Sequence, residues 1–167
     1  PDGSERDVVD LHGALDDTLE LVDHRLGEGV EVERDYGDLP EVECFPAQLN
    51  QVFMNLLLNA SQAIEGEGTI RVRTRGGDER VRVEVRDDGV GIPEENLERI
   101  FEPGFSTRGA RVGMGLGLLI TRQVVERHQG DIRVESEVGE GSAFTVELPV
   151  RLPDEGAERG DRGGEGR

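Results

Sequence analysis

The chain has no tryptophan and no lysine, one tyrosine, five phenylalanines and a single cysteine. With Cys44 alone, no internal disulfide can form, which fits a reducing compartment. All basic residues are arginine, and the net charge is −18 at pH 7. Such a charge repels phosphate backbones and anionic lipid, so neither nucleic acid nor a membrane surface is an expected partner. No apolar run approaches the roughly 20 residues of a membrane span, and no secretory leader pattern opens the chain. The first residue is Pro1 rather than Met, which suggests a piece of something longer. The 167 residues suit one domain able to bury a core without staples.

What is present is periodic. Residues 1–9 are polar and read as loose. From Asp10 to Leu26, Leu11, Leu15, Leu19, Val22 and Leu26 recur at helical spacing, with Asp10 as cap and Gly27 and Gly29 as the stop. His12 and His24 read as solvated helix residues. Val30 and Val32 alternate with glutamates as in a half-buried strand, and Val42–Cys44 reads as a short one. Ile70, Val72 and Thr74, then Val81, Val83 and Val85, alternate with charged residues around Gly76-Gly77-Asp78, a hairpin. Ile132–Val134 and Phe144–Leu148 give two further strands. His128, near a helix end, reads as a cationic cap. From Arg151 onward the composition predicts a disordered acidic, Gly-rich tail, leaving residues 1–150 as the domain.

Three stretches carry chemistry. Between Pro46 and Glu65 a helical wheel places Leu49, Val52, Phe53, Leu56, Leu57, Ala60, Ala63 and Ile64 on one arc. Gln48, Gln51, Asn55, Asn59 and Gln62 form a separate uncharged stripe. That stripe is either a polar surface or one wall of a ligand site, with amide oxygens for a cation. Asp87-Asp88-Gly89-Val90-Gly91, at a strand end, is either an acidic turn or a grip on ligand N–H groups. Gly113-Met114-Gly115-Leu116-Gly117-Leu118 precedes an apolar helix that Gly130 closes. It is either a flexible loop or a phosphate cradle at a helix N-terminus.

Taken in order, these motifs resemble the catalytic ATP-binding domain of bacterial sensor histidine kinases, in the superfamily shared with gyrase-type, chaperone and mismatch-repair ATPases. Asn55–Ala63 resembles the N-box, Asp87–Gly91 the first glycine box and Phe101–Arg108 the F-box. Gly113–Leu118 and Gly139–Ser142 resemble the second and third glycine boxes. The resemblance implies an α/β fold: the two-layer Bergerat-type sandwich, a mixed β-sheet with one helical layer. It implies ATP and Mg²⁺ as ligands. Asp87 accepts the adenine amino group, Asn59 brings its amide oxygen to the metal, and Asn55 supports that site. Arg108 or Arg111 neutralises the γ-phosphate. Asn55, Asn59 and Arg108 take the catalytic roles. Gln62, Gly89, Gly91, Ile92, Phe101, Ser106, Thr107, Gly113, Gly115, Leu116, Gly117, Leu118 and Ser142 complete the nucleotide site.

Departures from the family pattern are informative. Gln62 stands where many members carry a basic residue, Phe45 where an acidic helix cap is common, and Ser142 where Thr is usual. Four residues, 109–112, separate F-box from glycine box, a short lid like that of nitrogen-regulator kinases. No histidine is followed by an acidic residue, so the phosphoacceptor is expected on a separate dimerisation domain, with a response regulator downstream. The isolated domain is expected to be a cytoplasmic monomer making no membrane contact, its parent either free or membrane-anchored. The competing readings are a serine kinase of the anti-sigma type or another ATPase on this fold, and a degenerate binding module.

Overall fold

The structure, a computed structural model, describes residues 5–105 and 117–153. Its centre is α2 (Pro46–Ala63), a helix with proline in its first turn. The residues of its apolar arc are buried from Leu49 to Ala60, as the wheel predicts. Against it lie α1 (Leu11–Asp23) on one side and α4 (Gly117–Arg127) on the other. The Asp10 carboxylate caps α1, accepting the His12 N–H at 3.0 Å. A single turn, α3 (Glu94–Leu97), follows the Asp87–Gly91 stretch.

These helices cover one face of a five-stranded sheet. In sequence order the strands are β2 (Val30–Tyr36), β4 (Gly68–Gly76), β5 (Arg80–Asp87), β6 (Asp131–Glu137) and β7 (Gly141–Pro149). Their spatial order is β2-β4-β5-β7-β6. β2 and β4 are parallel and the other pairs antiparallel, so the sheet is mixed, as expected. Ile70, Val72, Val81, Val83, Val85, Phe144, Val146 and Leu148 point into the core. The opposite face carries the alternating charges. Arg71 pairs with Glu33 at 3.2 Å, Arg73 and Arg75 with Asp35 at 3.0 Å, and Arg80 with Glu147 at 2.8 Å. Exposed pairs of this kind contribute about 0–1 kcal/mol each. Among the described residues no helix covers this face, and the pairs leave its charges matched.

Several expectations need correction. Residues 1–9 are not uniformly loose: β1 (Asp7–Val9) pairs antiparallel with β3 (Val42–Cys44). Packing continues past residue 150. Leu152 is 7 % exposed, its N–H donates to Glu43 Oε1 at 3.1 Å, and Arg6 reaches the Pro153 carbonyl at 3.2 Å. The rest of the expected tail, residues 154–167, lies outside the described residues. His12 is not simply solvated. Its ring stacks on Tyr36 at 4.3 Å, and Nε2 meets the buried Thr74 hydroxyl at 2.7 Å. Gly130, expected to close the last helix, is not the left-handed residue that ends it. Gln129 is, with φ 56°, while the Gln129 and Gly130 N–H groups cap the Glu126 and Val125 carbonyls. Gly130 instead gives the Glu147 carbonyl room to approach.

His128 is 1 % exposed and is not a cation. Its Nε2 accepts the Phe45 N–H at 3.1 Å, so its one ring proton lies on Nδ1 and goes to the Val124 carbonyl at 2.8 Å. Burial holds its pKa below the ordinary value. Phe45 makes no side-chain cap, as expected. Its ring lies edge-on to His128, with the Arg127 guanidinium 4.5 Å from its centre.

Candidate functional site

Asp87 is the last residue of β5, in the same inward row as Val81, Val83 and Val85. The period of two thus carries a carboxylate into a row of core valines, where it is 4 % exposed. Burial lifts its pKa, opposed by backbone hydrogen bonds from Gly89 and Ser142. The Gly89 N–H lies 2.9 Å from Oδ1. Asp88 turns the other way, and its Oδ1 accepts the Thr69 N–H at 2.8 Å.

The backbone after Asp87 is packed from two sides. The Val90 N–H donates to the Ala63 carbonyl at the end of α2 at 2.9 Å. Gly91 has φ 76°, and a Cβ there would collide with the Glu137 carbonyl. The Gly139 N–H reaches back to the Val90 carbonyl at 2.9 Å. Gly141, with φ 122°, lets Asp87's own carbonyl approach its backbone closely. The first and third glycine stretches, some fifty residues apart in sequence, therefore form one interlocked turn.

Ser142, paired with Asp87 in the β5–β7 register, is buried. Its hydroxyl lies 2.7 Å from the hydroxyl of Ser136. Ser136 also accepts the Ile92 N–H at 2.7 Å and donates to the Gly141 carbonyl at 3.0 Å. Sequence reasoning missed Ser136; the one signal was a serine continuing the half-buried Ile132 and Val134 row of a strand whose other residues are charged. A cavity of about 530 Å³ opens at this end of the sheet, with Asp87, Ser136 and Ser142 in its walls. Glu33, Arg71 and Arg86 of the open face also line it, and no amide of α2 does.

Asn55, half-buried on α2, ties that helix to the start of α4. Its Nδ2 donates to the Gly117 carbonyl at 3.3 Å and to Thr121 Oγ1 at 3.4 Å. The Thr121 hydroxyl itself donates to the Gly117 carbonyl at 2.7 Å. Thr121 was also missed; a threonine inside an apolar helix reads as core. Asn59, one turn beyond Asn55, is half-buried, as is Gln62. Gly117 and Leu118 open α4, and Leu118 packs on the core. Phe101 packs there too, with the Arg122 guanidinium 5.7 Å from its ring centre. Ser106, Thr107, Arg108, Arg111, Gly113, Gly115 and Leu116 lie outside the described residues.

Among the described residues, no three His, Cys, Asp or Glu side chains cluster to hold a metal. An Mg²⁺ ion with mostly phosphate and water ligands needs only one or two protein oxygens. The Asn59 amide suits that sparse donor set. No helix among the described residues is long and apolar enough to cross a membrane.

Comparison with known proteins bears on the family and the fold. Residues 45–152 match the family described as histidine kinase-, DNA gyrase B- and HSP90-like ATPases. The chain is 38% identical over 138 residues to sporulation kinase E of Bacillus subtilis, covering 81% of this chain and 18% of that protein. It is 39% identical over 147 residues to the sensor histidine kinase ZraS of Escherichia coli K12, covering 87% and 31%. The chain thus spans less than a third of these relatives. Among solved structures it is similar to the catalytic domain of histidine kinase ThkA. The TM-score is 0.78 at 29% identity, covering 88% of this chain and 99% of that one. The chain belongs to the histidine kinase-, gyrase- and HSP90-like ATPase family, as a catalytic ATP-binding domain of the sensor histidine kinase type.

Proposed function

We propose that this domain binds ATP with Mg²⁺ and transfers the γ-phosphoryl group to a histidine on a separate dimerisation domain. Asp87 selects adenine by accepting its amino N–H, a charge-assisted bond. Asn59 supplies one oxygen to Mg²⁺, which neutralises phosphate charge when bound. Leu118 and the preceding glycine stretch present backbone N–H groups to the phosphates, and Arg108 screens the γ-phosphate. Gln62 leaves that charge to the metal, backbone and arginine.

The observation that carries the phosphotransfer reading is Asn55. Hydrolytic members of this superfamily place a glutamate one turn before the metal-binding asparagine as general base. Here an amide stands there, and it donates to Gly117. An amide accepts no proton at neutral pH, so this position cannot activate water. The domain positions the γ-phosphate and awaits a nucleophile from elsewhere.

The test is to incubate the isolated chain with labelled ATP and Mg²⁺, alone and with the acceptor domain of its parent kinase. Alone it should hydrolyse ATP slowly and remain unlabelled. With the acceptor, an acid-labile, base-stable phosphohistidine should form there. Brisk hydrolysis by the chain alone, abolished by Asn55→Ala, would refute the reading. The domain is further proposed to act as a monomer, with a response regulator receiving the phosphoryl group from the acceptor.

A further inference from the structure

The hydroxyl pair Ser136–Ser142 has a fixed direction. A serine hydroxyl has one proton and two lone pairs. Ser136 is 3.0 Å from the Gly141 carbonyl, which can only accept, so the Ser136 proton goes there. The Ile92 N–H, which can only donate, takes one Ser136 lone pair at 2.7 Å. The remaining contact, 2.7 Å to Ser142 Oγ, falls on the other lone pair, so Ser142 must be its donor. Ser136 is then fully used, and the Ser142 proton is spent. Ser142 presents only lone pairs to a ligand, beside a carboxylate, Asp87, that also only accepts.

We infer that Ser136 is a specificity-determining residue of the nucleotide site: it turns Ser142 into an obligate acceptor, so that this corner takes a purine with an amino group, not a carbonyl, at position 6. The inference rests on the ATP-binding reading above. A 6-amino group offers two N–H donors to two acceptors. A 6-oxo group would set a third acceptor against them, leaving buried lone pairs facing one another, and such an unmet polar contact is costly. Ser136 acts through Ser142 and touches no ligand in this scheme; it is a positioning residue.

ATP and inosine triphosphate differ at this edge: the amino group becomes a carbonyl and the neighbouring ring nitrogen gains a proton. Calorimetry on the full chain with Mg²⁺ should show ATP preferred. Ser136→Ala releases the Ser142 proton, and the ATP-to-inosine-triphosphate affinity ratio should fall by about three- to tenfold, the worth of one hydrogen bond. Ser136→Thr keeps the oxygen and should restore the ratio. Ser142→Ala should lower it as Ser136→Ala does, and the double variant should be no worse than either, because one acts through the other. Should Ser136→Ala fold poorly, Ser136→Cys keeps the volume while weakening the acceptor, and the same loss is expected. An ATP-to-inosine-triphosphate ratio left unchanged by Ser136→Ala or Ser136→Cys, or effects that add fully in the double variant, would overturn the inference alone. Failure of the unaltered chain to bind ATP would overturn the nucleotide reading as well.

Discussion

The backbone N–H of Phe45 donates to Nε2 of His128 at 3.1 Å, joining the start of α2 to the end of α4. The bond exists only while the imidazole is neutral. In the unfolded chain His128 protonates as pH falls through 6.5; in the fold, burial holds its pKa lower. The unfolded state therefore binds the extra proton, and stability should fall on acidification below 6.5. One proton gives a slope of at most about 1.4 kcal/mol per pH unit, down to the folded-state pKa. Denaturant melts at several pH values should show this slope, reduced in His128→Gln.

Asp87 titrates with the opposite consequence for stability. Its folded pKa is raised from 3.8, so the unfolded state ionises first as pH rises. The carboxylate becomes a stability cost from 3.8 upward and is fully so above its folded pKa. Asp87→Asn, which retains an acceptor for the Gly89 N–H, should leave the neutral-pH Tm of the free domain unchanged or raised. The same change should weaken ATP binding by about 1–3 kcal/mol. In the unaltered domain ATP affinity should fade on acidification sooner than an exposed aspartate would give. Calorimetry with ATP and GTP checks both; equal affinity for the two would exclude Asp87 as the adenine selector.

Leu152 is the last buried residue among those described. Leu152→Ala should cost about 2 kcal/mol, a Tm drop of roughly 4–8 °C. A chain ending at Arg151 should lose as much, whereas one ending at Pro153 should melt like the full chain.

Two glycines should resist change for a shared reason. Gly91→Ala puts a Cβ into the Glu137 carbonyl and Gly141→Ala into that of Asp87, both at positive φ. Each should lower stability by at least about 1–3 kcal/mol. Gly77→Ala, with nothing near its Cβ and no positive φ, is the matched control, expected to shift Tm little.

Most of the fold was readable in the sequence because its periods are clean. The α2 wheel separated Leu49–Ala60 from the amides, and strict alternation marked β4, β5 and β7. What escaped depended on distant partners. Asp7–Val9 is too short to show a pattern and becomes a strand only beside Val42–Cys44. Leu152, a lone apolar residue among polar ones, is held by Glu43 of β3 and by Arg6 near the start of the chain. Asp87, Asn55 and the glycines were readable as motifs. Ser136 and Thr121 were not, because a hydroxyl's role lies in which carbonyl it faces, and spacing along one strand or helix does not encode that.

The contact between Arg6 and the Leu152 and Pro153 carbonyls brings both ends of the described fold to one corner, beside β3. Almost no chain is needed to bridge them, so the connectivity is topologically close to a ring. A circular permutant joining residue 153 to residue 5 through a few glycines, and opened at exposed Asp78 in the β4–β5 hairpin, should fold with the sheet order unchanged. In such a permutant the Asp87–Ser142 corner, the α2 amides and the start of α4 would all keep their places. Where the domain is tethered is thus separable from how it is built.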